Sequence, residues 1–225
     1  MRVRHNKNAL NLLLQYDKLY IDDALKNHGK WRWYFNNNHE LYIEVGCGKG
    51  QFIINQALKY PNINFIALER DSTILLKAIK KADEIIKQGY VINNLKFILG
   101  DASKIEFIFD DNEVDKIFLN FSDPWPKKRQ EKRRLTYISF LKQYYLILRK
   151  EHDLELKTDN LDFFNYSIQS INDSKLFEVI YQTNDLYNEL TNAYNLNNIA
   201  TEYEQKFHNQ GHLINKLVAK SLKKK

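Results

Sequence analysis

The hydrophobic positions of this chain change period several times. Leu41 to Val45 is a short apolar run that stops at Gly46-Cys47-Gly48-Lys49-Gly50, the pattern of a strand entering a glycine-rich turn. Phe52 to Leu58 then repeats with helical spacing, and Asn64 to Leu68 is a second apolar run closed by Glu69. The next segment places Ile74, Leu75, Ala78, Ile79, Ala82, Ile85 and Ile86 on one helical face, with Asp71 or Ser72 available as its cap. Further strands are expected at Leu95 to Leu99, Lys116 to Phe121 and Leu154 to Lys157, ending at Gly100-Asp101, Asp123 and Asp159. Helices are expected over Leu135 to Leu148 and Phe163 to Ile171, and closing strands over Phe177 to Gln182 and Leu213 to Ala219.

Strands alternating with helices predict an α/β fold around a mainly parallel sheet. Ligands of such sheets bind beyond the carboxyl ends of the strands. In this chain those ends carry an acid each: Glu44, Glu69, Asp101, Asp123 and Asp159. Residues 1–35 show poor periodicity and excess positive charge, so they read as a basic extension ahead of a single domain over 36–225. No repeat or linker divides the chain.

Bulk properties narrow the chemistry only slightly. A length of 225 residues and 44% hydrophobic content suit one folded core, and the formal net charge of +6 favours polyanionic partners without requiring them. One cysteine, Cys47, excludes an intrachain disulfide and a cysteine metal cluster. The six histidines are scattered without a ligand pair, so no metal is expected. No apolar run approaches a membrane span or a signal-peptide core, which together with the lone cysteine points to a reducing cytoplasm.

The glycine turn is more informative with its surroundings than alone. Gly46, Gly48 and Gly50 let the backbone turn tightly and approach a ligand. Glu69 follows about 20 residues later, where a carboxylate accepts ribose hydroxyls in nicotinamide-binding and S-adenosylmethionine-binding folds alike. Glu44 separates the two, because a carboxylate before the turn suits a cationic methionyl group and repels a pyrophosphate. Asp101 is placed to accept from an adenine amino group.

The sharpest segment runs from Asn120 to Leu135 and reads NFSDPWPKKRQEKRRL. Two of the three prolines stand here, so Asp123 and Trp125 are expected in a stiff, extended loop. Six basic residues occupy the eight positions from Lys127 to Arg134. Fixed cations beside an aromatic loop fit RNA phosphates and bases; a solvated basic helix start is the plainer reading. Trp125 has two readings, stacking on a base and packing the loop.

This segment resembles the signature of the bacterial tRNA (guanine-N7-)-methyltransferases. The resemblance extends over Glu44 to Gly50, Glu69, Gly100-Asp101-Ala102, Lys157-Thr158-Asp159 and Thr201-Glu202-Tyr203-Glu204, ahead of Phe207 and Gly211, so it spans roughly Leu41 to Leu213. It implies a Rossmann-like class I methyltransferase with a seven-stranded sheet and helices on both faces. It implies S-adenosylmethionine as methyl donor, S-adenosylhomocysteine as product, no metal, and tRNA as substrate, methylated at N7 of the variable-loop guanine, number forty-six. Glu44, Gly46, Gly48, Gly50, Glu69, Asp101 and Asp123 would hold the donor, with Asp123 the catalytic acid. Lys127, Asp159, Thr201, Glu202, Tyr203 and Glu204 would hold substrate, and Arg129, Lys132, Arg133 and Arg134 would lie along the RNA. No obligatory protein partner is implied, and monomer and homodimer both remain open. Ser122 stands where the family has proline, and Gln130-Glu131 replaces a histidine-containing pair. Three rivals remain: a related methyltransferase with another substrate, a non-catalytic RNA-binding subunit, and a nicotinamide oxidoreductase, the last disfavoured by Glu44.

Overall fold

The computed structural model describes residues 5–223; residues 1–4 of the expected basic extension lie outside it. The chain divides into two compact units, Met1–Asp110 and Asp111–Lys225.

The first unit is built on parallel strands joined by helices. Its elements are α1 (Ala9–Leu13), β1 (Tyr20–Ile21), α2 (Trp31–Phe35), β2 (Glu40–Val45), α3 (Gln51–Lys59), β3 (Ile63–Glu69), α4 (Ser72–Lys87) and β4 (Leu95–Leu99). The strands lie in the order β1-β4-β3-β2, every pair parallel. Strand β3 is buried from Asn64 to Leu68, as a central parallel strand must be when both its faces are covered. Asp71 is the residue that caps α4, accepting from the backbone N–H groups of Thr73 at 2.8 Å and Ile74 at 3.1 Å. On that helix Leu75, Ala78, Ile79 and Ala82 are buried, whereas Ile74, Ile85 and Ile86 are only half-buried.

The described residues hold eight strands against seven expected. The additional one is β1, two residues long and therefore too short to show alternation. It comes from the stretch expected as an extension, and it pairs with β4 through Tyr20–Phe97 and Ile21–Ile98. The same stretch supplies core. Ala9, Leu13 and Trp31 are all buried, and α1 packs on α4. The Trp31 indole N–H donates to the Ile108 carbonyl at 2.9 Å, while its ring lies against Phe109 at 5.5 Å.

The second unit is mixed. It contains β5 (Val114–Asn120), α5 (Ile138–Ile147), β6 (Leu148–Thr158), α6 (Leu161–Ser174), β7 (Phe177–Thr183), α7 (Glu202–Asn209) and β8 (Asn215–Ser221). Strand β5 pairs parallel with β6, and the chain then adds β8 and β7 antiparallel, in the order β5-β6-β8-β7. Strand β6 is longer than the hydrophobic run implied, because residues 149 to 153 are polar and either half-buried or, at Glu151, exposed. Polar side chains are also paired inside this unit. Glu155 bridges Lys116 at 3.0 Å and Lys216 at 3.3 Å. The basic run after β5 forms 3-10 helix from Lys128 to Arg133, and α5 starts only at Ile138.

Candidate active site

The glycine turn caps β2 in the first unit. Gly46, Gly48 and Gly50 have φ of 79°, 57° and 78°, values that side-chain-bearing residues rarely adopt. A Cβ at Gly50 would stand 2.9 Å from that of Ala78, so this glycine permits close packing of the turn on α4. A Cβ at Gly46 or Gly48 would meet nothing within 4 Å. Those two therefore leave space open above the backbone, as a cradle for a bound group requires.

Glu69, at the end of β3, shapes this cradle. One of its carboxylate oxygens, Oε1, accepts from the backbone N–H of Arg70 at 2.9 Å and of Asp71 at 3.0 Å. The other, Oε2, accepts from Gly48 N–H at 3.1 Å and keeps a further lone pair for a hydroxyl. Burial raises the Glu69 carboxyl above its usual range, and the three backbone donors oppose that rise. Glu44 is buried at 2% exposure. Burial, then Glu44, then Glu69 push the Cys47 thiol well above its usual range. Cys47 is thus a neutral thiol at ordinary pH and no nucleophile. Asp101 is exposed beyond β4. Its side chain accepts from Ser103 N–H at 2.8 Å, and that bond, reinforced by Arg70 and Lys104, lowers its pKa.

In the second unit, β5 delivers the proline loop. Asp123 is exposed and Trp125 half-buried. The loop is not simply extended: Phe121 and Trp125 take φ of 49° and 42°. Each such conformation costs a non-glycine residue about 1–3 kcal/mol and persists only where its surroundings impose it. Those surroundings are visible. Phe121 N–H donates to the Lys157 carbonyl at 2.8 Å. Its ring lies in a stack with Tyr203 and Phe207 at centroid distances of 6.5 and 6.1 Å. Arg134 donates from Nε to the Pro124 carbonyl at 3.0 Å and from Nη2 to that of Trp125 at 3.1 Å. Arg133 lies over the Trp125 ring at 5.0 Å.

The basic residues therefore differ in placement. Lys127, Arg129, Lys132 and Arg133 are exposed, whereas Arg134 is half-buried and turned onto the loop. Nothing in the sequence separates Arg134 from its neighbours in the run. Ser122 buries its hydroxyl oxygen without a hydrogen-bond partner among the described residues.

The Thr201-to-Glu204 segment opens α7 and divides in the same way. Thr201 and Glu204 form a capping box, each side chain accepting from the other's backbone N–H. Glu204 is fully buried and accepts from Lys157 Nζ at 2.5 Å, from Asn198 Nδ2 at 2.7 Å and from the Tyr187 hydroxyl at 3.4 Å. Lys157, also fully buried, donates further to the Ile199 carbonyl at 2.9 Å. Tyr203 is exposed and Glu202 half-buried, so these two face outward from the anchored turn. Asp159 follows β6 and is half-buried.

The model of a putative methyltransferase family matches residues 38–217. A tRNA (guanine-N(7)-)-methyltransferase of Limosilactobacillus reuteri (strain DSM 20016) is 46% identical over 220 residues, covering 97% of this chain and 99% of its own length. The chain belongs to the tRNA (guanine-N7-)-methyltransferase family. Another member, from Oenococcus oeni (strain ATCC BAA-331 / PSU-1), is 49% identical over 210 residues, covering 92% of this chain and 94% of its own. Solved methyltransferases share the fold at much lower identity. The 16S rRNA methyltransferase KamB superimposes with a TM-score of 0.64 at 11% identity, covering 86% of this chain and 93% of its own. An antibiotic-related methyltransferase does so with a TM-score of 0.64 at 16% identity, covering 91% and 96%. Membership fixes the Rossmann-like class I methyltransferase fold and the use of S-adenosylmethionine. Among the described residues no helix is long and apolar enough to cross a membrane.

Proposed function

We propose that this chain transfers the methyl group of S-adenosylmethionine to N7 of a guanine in tRNA, and that the guanine is number forty-six of the variable loop. The observation that carries the reading is 46% identity over 97% of the chain to an enzyme named for this reaction, in a chain that has an open glycine turn and an exposed Asp123. When bound, the donor supplies a sulfonium methyl for displacement.

The protein's own residues bind and orient. The open face of Gly46 and Gly48 admits the donor, Glu69 accepts a ribose hydroxyl on Oε2, and Asp101 accepts from the adenine amino group. Glu44 supplies negative charge for the cationic methionyl end. Guanine N7 already carries a lone pair, so no strong base is required, in keeping with the neutral Cys47. Asp123 offsets the positive charge that develops on guanine, and with Asp159 accepts from the N1 and N2 donors that adenine does not present in that arrangement. Glu202 and Tyr203 reach substrate, while Thr201 and Glu204 hold the turn that carries them. Lys127, Arg129, Lys132 and Arg133 follow the phosphates. The enzyme meets its tRNA in the cytoplasm, as monomer or homodimer.

Labelled S-adenosylmethionine and unmodified tRNA test the reading, with the product mapped by cleavage specific to N7-methylguanine. Cleavage at the variable-loop guanine is expected. Label on another atom, or label unchanged when that guanine is replaced by adenine, would overturn it.

A further inference from the structure

We propose that Arg134, supported by Tyr166, is a positioning residue for methyl transfer that holds the Asp123–Pro126 loop in its working shape. The inference rests on the methyltransferase reading above, and it moves Arg134 out of the set of RNA-contacting cations.

The loop needs such a tether. Trp125 has φ of 42° and stands immediately before Pro126, whose ring restricts the backbone of the residue ahead of it. Prolines limit the conformations available to the loop, but they donate no hydrogen bond that would select one. Arg134 makes the selection. Its Nε and Nη2 donate to the carbonyl oxygens of Pro124 and Trp125, at 3.0 and 3.1 Å, so one rigid fork grips two successive residues next to Asp123. The guanidinium itself rests 4.1 Å from the centroid of the Tyr166 ring on α6. Tyr166 is half-buried. Serine bonds fix the helix that carries it: the Ser170 hydroxyl donates to the Thr136 carbonyl at 2.6 Å, and Ser167 Oγ lies 2.9 Å from Thr136 Oγ1. The chain of contact thus runs from α6 through Tyr166 and Arg134 to the backbone beside Asp123. A lysine at 134 carries the same charge but cannot donate in the same plane to both carbonyls.

Arg134→Ala, Arg134→Lys and Tyr166→Leu in the full chain test the clamp, with Lys132→Ala for contrast. Arg134→Ala should lower kcat at saturating tRNA by about 100-fold, because misplacing a reacting group by roughly 1 Å costs that much. KM for S-adenosylmethionine and the salt dependence of tRNA binding should stay as in the wild type. Lys132→Ala should instead reduce the slope of log K against log salt by about one. Tryptic cleavage between Lys127 and Arg133 should accelerate in Arg134→Ala with circular dichroism unchanged. Arg134→Lys should share the kcat loss despite its retained charge, and Tyr166→Leu should show a smaller loss in the same direction. Should Arg134→Ala fail to fold, Tyr166→Leu and Arg134→Lys carry the test.

A salt slope reduced by about one in Arg134→Ala, with kcat intact at saturating tRNA, would make Arg134 a phosphate contact and overturn the proposal. Wild-type cleavage rates and wild-type kcat in Arg134→Lys and Tyr166→Leu would overturn it equally. The cleavage arm needs no substrate, so it decides the clamp even if the methylated atom proves not to be guanine N7.

Discussion

The two units hold their candidate loops by different balances of backbone and side-chain bonds. In the first, the Gly46–Gly50 turn exposes bare backbone and is fixed by backbone hydrogen bonds. Gly46 N–H and Cys47 N–H both donate to the Leu68 carbonyl, at 2.8 and 3.0 Å, and the Glu69 carboxylate accepts from the Gly48 amide at 3.1 Å. In the second, the loop carries side chains, exposed Asp123 and half-buried Trp125, where the first has glycine. Left-handed backbone at Trp125 is then maintained by the Arg134 side chain, that at Phe121 by its ring stack and a backbone bond to Lys157, and the turn at Thr201 by an ion pair between fully buried Lys157 and Glu204. A loop that binds through its backbone is endangered by adding atoms. A loop that binds through its side chains is endangered by removing a support.

The largest effect should come from deleting a buried support. Glu204→Ala leaves the Lys157 ammonium buried without its carboxylate, which costs about 3–5 kcal/mol. Urea denaturation should show that loss, with a much smaller one for Glu69→Ala, which strands no buried cation. Equal losses would erase the distinction between the units. Next, Asp123→Ala should lower kcat by about 10²- to 10³-fold while leaving the unfolding transition in place. Wild-type turnover in that variant would remove Asp123 from the chemistry.

Acid should act on the second unit through Glu155. Burial raises its pKa, but Lys116, Lys216 and Lys157 outweigh burial and hold it at about 2. A carboxyl depressed in the folded state adds stability above its unfolded pKa of about 4.5, and that contribution disappears as pH falls toward 2. About 3 kcal/mol should be lost over that window, and Glu155→Gln should flatten the dependence. An unchanged acid profile in the variant would show that Glu155 does not titrate there. The smallest effect concerns the open turn. Gly48→Ala places a Cβ at φ of 57°, costing about 1–2 kcal/mol of stability. The same Cβ intrudes on the cradle, so S-adenosylmethionine affinity should fall about tenfold or more, the equivalent of about 1.4 kcal/mol. Calorimetry showing unchanged affinity would move the donor away from Gly48.

The parallel alternation, the strand-end acids and the cap at Asp71 were legible because each depends on neighbours close in the chain. Leu95 to Leu99 was readable to the residue, since its apolar run is bounded on both sides. Strand β1 was not, because a two-residue strand exists only through its partner β4, whose paired residues lie 77 positions away in the chain. Helix α7 was missed as well. Its polar face dominates the sequence, and the capping box and the Lys157–Glu204 pair that secure it combine a local signal with one 47 residues distant.

By itself the sequence determined which residue types stand at the strand ends: glycines in the turn after β2, acids at or beyond the ends of five strands, and a basic run beside Asp-Pro-Trp-Pro. Only the tertiary structure decided which of those residues face outward and which are consumed in holding the others. Arg133 and Arg134 are the same residue type in adjacent positions, yet one is exposed and the other grips Pro124 and Trp125. Glu202 and Glu204 differ as sharply. Direction and burial depend on what folds back from far along the chain, and a residue's type carries no record of the neighbour it will meet.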